Sequence, residues 1–233
     1  MRKDVIFKFV SVFGALWLVL AWPAKAQEYK HEVGAAVGAS SYMGDANKTA
    51  LYRHPGIVGG FMYRYNLNFH WAVKANLFAG NVSGSTKNSG NVFPHGQEAA
   101  FKRWFVDGGA QVEFNFFPYS DKYAYLSAKP YTPYLLVGVG TTFAGGEHSF
   151  FNVNVPVGVG FKYKIKNRVN IGIEFSMRKL FGDDFDAPEN NAEWSLNNPY
   201  GIESSFLKNK DWYSLTMIHL TWDFGLRKDP CCP

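Results

Sequence analysis

The fold is decided by residues 151–165, which have the sequence FNVNVPVGVGFKYKI. Side chains of a β-strand point to alternate faces of the sheet, so this stretch has one apolar face and one face of polar or small residues. The apolar face consists of Phe151, Val153, Val155, Val157, Val159, Phe161, Tyr163 and Ile165. The opposite face consists of Asn152, Asn154, Pro156, Gly158, Gly160, Lys162 and Lys164.

The length and the charge of this strand indicate a membrane protein. Strands of soluble proteins usually run about 5–6 residues, and a soluble barrel would fill its interior with apolar side chains rather than with Lys162 and Lys164. A long strand that is apolar on one side and polar on the other is typical of a transmembrane β-barrel, with lipid outside and a polar lumen inside.

Seven further segments show the same alternation, which predicts an all-β, eight-stranded antiparallel transmembrane barrel of the outer-membrane type. The predicted strands are 31–42, 56–67, 71–79, 101–116, 131–142, 151–165, 168–181 and 211–224. The connections after the second and sixth strands are very short, and a polar loop at 83–100 and a long loop at 182–210 are expected to be exposed. Short periplasmic turns and longer surface loops are typical of bacterial outer-membrane barrels. An even number of strands then places both termini in the periplasm.

The N-terminal residues have the layout of a cleaved secretory signal. Arg2, Lys3 and Lys8 are followed by an apolar run that is short for a membrane-spanning helix, which needs about 20 residues. Ala24-Lys25-Ala26 provides small residues at the cleavage site. We therefore predict a signal peptide at 1–26, a barrel at 27–226 and a periplasmic tail at 227–233.

Composition excludes some functions and leaves others open. The formal net charge is +5, but removal of the basic signal lowers it to about +2, which gives no case for nucleic-acid binding. Aromatic residues make up 18% of the chain, as in the interfacial girdles of membrane barrels. A secreted, aromatic-rich lectin would have a similar composition. No apolar run after the signal is long enough for a membrane helix, so an integral protein would have to be a closed barrel.

The inward-facing positions carry charges of both signs. They are Arg64, Lys74, Asp107, Glu113, Lys162, Lys164, Glu174, Arg178, His219 and Asp223. An eight-stranded barrel is too narrow for a solute channel and is filled by side chains, and buried charges must pair or stay hydrated. The sequence therefore predicts a structural network of lumen ion pairs. An acid–base site built from Glu113, Glu174 and His219 is the alternative.

No motif indicates an enzyme, a cofactor site or a metal site. The six histidines are scattered and lack the H-E-x-x-H spacing of zinc proteases. Gly138-Val139-Gly140 and Gly158-Val159-Gly160 lie inside predicted strands without a following helix, which excludes a dinucleotide-binding loop. We expect no catalytic residue, no cofactor and no small-molecule substrate.

Both cysteines, Cys231 and Cys232, lie at the C-terminal end. Adjacent cysteines can bond only in a strained ring, and in an oxidising compartment unpaired thiols favour a disulfide to a second chain. A strained pair or a tail without function is equally compatible with the sequence.

The whole chain after the signal resembles Bacteroidetes outer-membrane proteins of the PorG type. The similarity lies in Tyr29, His31-Glu32-Val33-Gly34 and Ser41-Tyr42-Met43-Gly44-Asp45, in Pro133-Tyr134 before a glycine-rich strand, and in Gly225-Leu226-Arg227-Lys228 with Cys231. The resemblance implies a component of the type IX secretion machinery, located in the outer membrane, that anchors a periplasmic ring made of a lipoprotein and its partner.

The resemblance maps no catalytic residue onto this chain. The expected contacts are outer-membrane lipids outside the barrel and, through Arg227 and Lys228, the acidic surface of a periplasmic partner. Cys231 or Cys232 is expected to lock this contact with a covalent bond. The alternative function is a general surface barrel, similar to OmpA or OmpX, that acts in adhesion or envelope integrity through its loops.

Overall fold

The computed structural model describes residues 29–43, 52, 55–85, 100–120, 127–145, 149–166, 168–181 and 212–226. The predicted signal peptide, tail and loop 182–210 lie outside these residues. The described chain forms eight strands: β1 (Tyr29–Met43), β2 (Gly56–Asn66), β3 (Trp71–Ser85), β4 (Ala100–Asn115), β5 (Tyr131–Gly145), β6 (Phe150–Lys166), β7 (Val169–Leu180) and β8 (Trp212–Leu226).

The strands form a closed barrel in which every neighbouring pair is antiparallel, so the predicted all-β, eight-stranded antiparallel barrel is confirmed, while the periplasmic location of the termini stays a prediction. β1 closes the barrel by pairing with β8 from Tyr29↔Leu226 to Met43↔Trp212. Following paired residues once around the barrel from His31 leads to Ser41, ten residues further along β1. This offset tilts the strands against the barrel axis, as closure of an eight-stranded barrel requires.

The predicted alternation governs which side chains face outward. In β6 the odd-numbered residues from Phe151 to Ile165 face outward, while Asn154, Lys162 and Lys164 are buried in the lumen. Every strand contributes large apolar side chains to the outside, among them Val37, Ile57, Leu77, Val137 and Ile218. Such a continuous apolar belt is what a barrel presents to lipid.

The two ends of the barrel differ in their connections. At one end, here called the terminal end, lie both chain ends of the barrel and the connections 67–70, 116–130 and 167–168. At the other, the loop end, lie the connections 44–55, 86–99, 146–149 and 181–211. The predicted loop at 83–100 is shorter than expected, because β3 and β4 remain paired as far as Ser85↔Ala100. Backbone pairing does not require apolar side chains, so this hairpin continues beyond the belt.

Among the described residues, no helix is long and apolar enough to span a membrane.

Candidate functional site

The lumen in the terminal half of the barrel holds a network of four cations and four carboxylates, here called the terminal network. The cations are Arg64, Lys74, Lys162 and Lys164, and the carboxylates are Glu32, Glu113, Glu174 and Asp223. All eight side chains are buried. Equal numbers of opposite charges allow the network to be neutral, which burial away from water requires.

Glu113 lies at the centre of the terminal network. Its carboxylate is 2.7 Å from Arg64 Nε, 3.4 Å from Lys74 Nζ and 3.5 Å from Lys162 Nζ. It reaches these partners because β3 and β4 lie next to each other and because β2 and β6 bring Arg64 and Lys162 to the same level of the lumen. One carboxylate therefore holds cations from three strands.

The cations of the terminal network have further partners. Arg64 also forms an ion pair with Glu32, and the Nζ of Lys74 lies 2.5 Å from Oε2 of Glu174. Thr221 donates a hydrogen bond to Glu32. Several bonds per charged group make the network mutually supporting.

Lys162 is held mainly by charge and by aromatic rings. Its Nζ has no hydrogen-bond partner among the described residues, and it lies 5.0 Å from the ring centroid of Tyr119 and 5.2 Å from that of Tyr134. Attraction between a cation and an aromatic face strengthens when water is excluded. The two tyrosines thus replace part of the solvation that Lys162 loses.

The residues of the alternative acid–base site come close to one another. The Tyr134 hydroxyl donates to Glu174 Oε2 at 2.8 Å and lies 3.3 Å from His219 Nε2. However, His219 and Glu113 are 0% exposed. A general acid or base must come within hydrogen-bond reach of its substrate, and these groups are enclosed by protein. The geometry favours a structural role.

Two aromatic side chains cover the lumen at the terminal end. Tyr119, from the connection between β4 and β5, is 1% exposed, and its hydroxyl donates to Asn170 Oδ1 at 2.7 Å. Tyr29 is also buried. Lys164, which is paired with Asp223, lies 5.4 Å from the Tyr119 ring and 5.8 Å from the Tyr29 ring. The mouth of the lumen is therefore closed by residues that also contact the terminal network.

Among the described residues, the loop half of the lumen contains the ion pair of Arg178 with Asp107, which neutral groups surround, and Arg103 is a further buried cation nearer the loop end. Arg178 Nε lies 3.1 Å from Asp107 Oδ1. The same carboxylate accepts hydrogen bonds from the hydroxyl of Tyr213 at 2.6 Å and from the amides of Asn154 at 2.8 Å and Asn76 at 3.0 Å. Asp107 is thus the shared acceptor of these four side chains.

An apolar cluster fills much of the remaining loop half, alongside buried Ser and Thr side chains. The buried cluster consists of Ala36, Tyr42, Val58, Met62, Phe78, Val82, Phe105, Ala144, Leu180, Tyr213, Leu215 and Met217. The Phe105 and Tyr213 rings pack with their centroids 5.3 Å apart. This half of the lumen resembles the core of a soluble protein.

The structure brings together most of the lumen residues that the sequence indicates. Arg64, Lys74, Glu113, Lys162, Glu174 and Asp223 lie in the terminal network, Asp107 and Arg178 pair in the loop half, and His219 lies beside Tyr134. The set of lumen charges derived from the sequence omitted Glu32. Its even number on β1 places it opposite the apolar face of Val33 and Val37, and this position indicates that it faces inward. The predicted partner-binding residues Arg227, Lys228, Cys231 and Cys232 lie outside the described residues.

The expected polar lumen does not extend to every inward position of the loop half. Phe78 and Phe105 are both 0% exposed inside the barrel. Each lies between two residues that the sequence correctly places on the outer face, so each phenylalanine faces the lumen.

In the part of the chain that the structure describes, no group of three or more His, Cys, Asp or Glu residues is arranged to hold a metal ion.

A family model described as a domain of unknown function, DUF6089, matches residues 10–233. The chain belongs to the DUF6089 family. No curated protein matches this DUF6089 chain significantly.

Solved barrels with low sequence identity are similar to the DUF6089 chain. The attachment invasion locus protein Ail of Yersinia pestis is 12% identical, with 84% of this chain and 99% of that chain covered and a TM-score of 0.47. Neisserial surface protein A is 13% identical, with 83% and 97% covered and a TM-score of 0.47. The outer membrane protein OprG from Pseudomonas aeruginosa is 11% identical, with 86% and 99% covered and a TM-score of 0.44. At these scores the similarity carries no argument about function.

Proposed function

We propose that this protein is a barrel of the Gram-negative outer membrane that holds other envelope components and neither conducts solutes nor catalyses a reaction. The observation that carries the proposal is the filled lumen inside an apolar belt. Arg64, Tyr134, Phe78, Phe105 and Arg178 are all fully buried across both halves of the lumen. A barrel without a water-filled passage serves as an anchor, with its loops or termini available to partners.

The filled lumen predicts the absence of conductance. The purified, refolded protein is expected to give no stable channel openings in a planar bilayer, because ion passage would require displacement of both the terminal network and the apolar cluster. Regular single-channel steps that scale with salt concentration would contradict the proposal.

The finer assignment is to the type IX secretion machinery. Its support is the resemblance to PorG-type proteins and the placement of the tail. Because Tyr29 pairs with Leu226, β8 ends at the terminal end, beside the start of β1. With this end in the periplasm, Arg227 and Lys228 are available to an acidic surface of the ring, and Cys231 or Cys232 to a thiol on it.

The test is deletion of 227–233 in the bacterium that carries the gene, which leaves β8 intact. The barrel should still insert, as measured by the heat-dependent gel shift of folded barrels, and secretion through the type IX machinery should fail. Thiol-reactive cross-linking from Cys231 or Cys232 in native membranes should then identify a ring component.

One control variant separates an effect of the tail from an unspecific effect of removing charge. Lys102→Gln, an exposed cation at the loop end, should leave secretion unchanged. Normal secretion after the tail deletion would overturn the type IX assignment and favour the general surface barrel.

A further inference from the structure

Cations are concentrated on the outer rim of the barrel at the terminal end. Lys166 and Arg168 are exposed, and Lys30 and Lys129 are half-buried. We call these four residues the cationic arc. None of the four takes part in the ion pairs of the terminal network among the described residues.

The arc is continuous although its residues are distant in the sequence. The backbone N–H of Lys164 donates to Pro130 O at 2.7 Å, which places Lys129 beside the end of β6. The backbone N–H of Asp223 donates to Arg168 O at 2.7 Å, which places Arg168 beside β8. The Arg168 guanidinium also lies 5.6 Å from the Tyr29 ring, next to Lys30. The arc therefore follows the rim from β5 to β1.

No carboxylate balances the arc among the described residues. Every described Asp or Glu side chain, namely Glu32, Asp107, Glu113, Glu174 and Asp223, is buried in the lumen. On the opposite part of the rim, the turn between β2 and β3 consists of Leu67, Asn68, Phe69 and His70. Among the described residues, the terminal rim thus has a cationic side and, at the turn between β2 and β3, a side without Lys or Arg.

Lys129 and Lys166 lie at the border of the apolar belt. The Lys129 Nζ is 4.2 Å from the ring centroid of Phe117 and 5.6 Å from that of Tyr131. Lys166 directly follows Ile165, which is 50% exposed in the belt. Aromatic rings and lysines with apolar stems occupy this depth at membrane surfaces, where the charged ends meet the headgroups.

We propose that the cationic arc binds the phosphate groups of anionic phospholipids in the leaflet at the terminal end. Its position at the edge of the belt favours lipid over an acidic protein, which would approach from the aqueous side. Clusters of Lys and Arg beside a membrane attract anionic lipids. The proposal is independent of the role in secretion and concerns the lipid layer around β5 to β1.

The chain contains two tryptophans at this end that can report on the two sides. Trp222 pairs with Val169 next to Arg168, on the cationic side, whereas Trp71 begins β3, on the other side. Two full-length processed proteins should be prepared, each keeping one of these tryptophans, with the others replaced by phenylalanine. Both should show the heat-dependent gel shift before use.

The experiment compares quenching by brominated phosphatidylglycerol and by brominated phosphatidylcholine at equal mole fractions in phosphatidylcholine vesicles. Quenching of Trp222 should show that the surface around it prefers phosphatidylglycerol over phosphatidylcholine by about threefold or more. Quenching of Trp71 should show no preference, with a ratio of the two affinities close to one. The preference at Trp222 should fall in high salt, which screens exposed charges.

The decisive variant is Lys129→Gln/Lys166→Gln/Arg168→Gln in the Trp222 protein, with Lys102→Gln at the loop end as the matched control. The triple variant should lose the preference and the control should keep it. Equal quenching of Trp222 by both lipids in the unaltered arc would overturn the proposal. The proposal would also be overturned if the triple variant kept the same lipid preference but no longer bound an acidic periplasmic protein in native complexes.

Discussion

The two halves of the lumen hold buried charge in different ways. In the terminal half, three cations and three carboxylates share partners beside the pair of Lys164 with Asp223, and Glu113 alone contacts three cations. In the loop half, Asp107 and Arg178 form one pair inside an apolar cluster, supported by neutral donors. The comparison shows that a narrow barrel can be filled either by a redundant network or by a core with a single polar centre. Removing one charged group should therefore cost more stability in the loop half than in the terminal network.

The largest effect is expected at the single polar centre. Asp107→Asn removes the only carboxylate that contacts Arg178 among the described residues, and Arg178 is 0% exposed. Breaking a buried ion pair by removal of one partner costs about 3–5 kcal/mol. Reversible urea unfolding in lipid vesicles, followed by tryptophan fluorescence, measures the loss.

Lys102→Gln, on the outer face of the same strand, is the control and should change the free energy of unfolding by less than about 0.5 kcal/mol. A similarly small loss for Asp107→Asn would contradict the view of this residue as the polar centre of the loop half.

A somewhat smaller loss is expected in the apolar packing around that centre. Phe105→Ala should leave a cavity beside Tyr213 and reduce the free energy of unfolding by about 3 kcal/mol. The same unfolding measurement applies, with Phe105→Leu as the conservative variant, which should retain more than half of the lost stability. Equal losses for both variants would show that the ring contact, rather than filled volume, matters at this position.

The smallest of the three losses is expected in the redundant network. Glu174→Gln removes one partner of Lys74, but Glu113 remains 3.4 Å from Lys74 Nζ and keeps the cation paired. The cost should be that of a charged hydrogen bond, about 1.5–3 kcal/mol.

A double-mutant cycle of Lys74→Met with Glu174→Gln tests directly whether Lys74 divides its interaction between Glu174 and Glu113. The coupling energy between Lys74 and Glu174 should be smaller than that between Arg178 and Asp107, measured with Arg178→Met. The reverse order would mean that the terminal network does not compensate for the loss of one carboxylate.

The eight strands could be predicted because each of them alternates over a length that soluble strands seldom reach. The prediction of the lumen succeeded where charge marked the inward face, as at Lys162 and Glu174. It failed at Phe78 and Phe105, because the sequence does not distinguish an apolar residue that faces the lumen from an apolar residue that faces the lipid. It also missed Glu32, which lies among small residues of β1 that give a weak alternation.

The alternation of side chains, by itself, determined the number of strands, the apolar belt and most of the charges that face inward, since a strand's two faces follow directly from its period of two. Only the tertiary structure decided which charges meet. Closure of β1 on β8 with a ten-residue offset sets the height of each strand against its neighbours. That offset brings Arg64, Glu113 and Lys162 to one level of the lumen and aligns Lys129, Lys166 and Arg168 along one rim, and no local pattern in the chain encodes either arrangement.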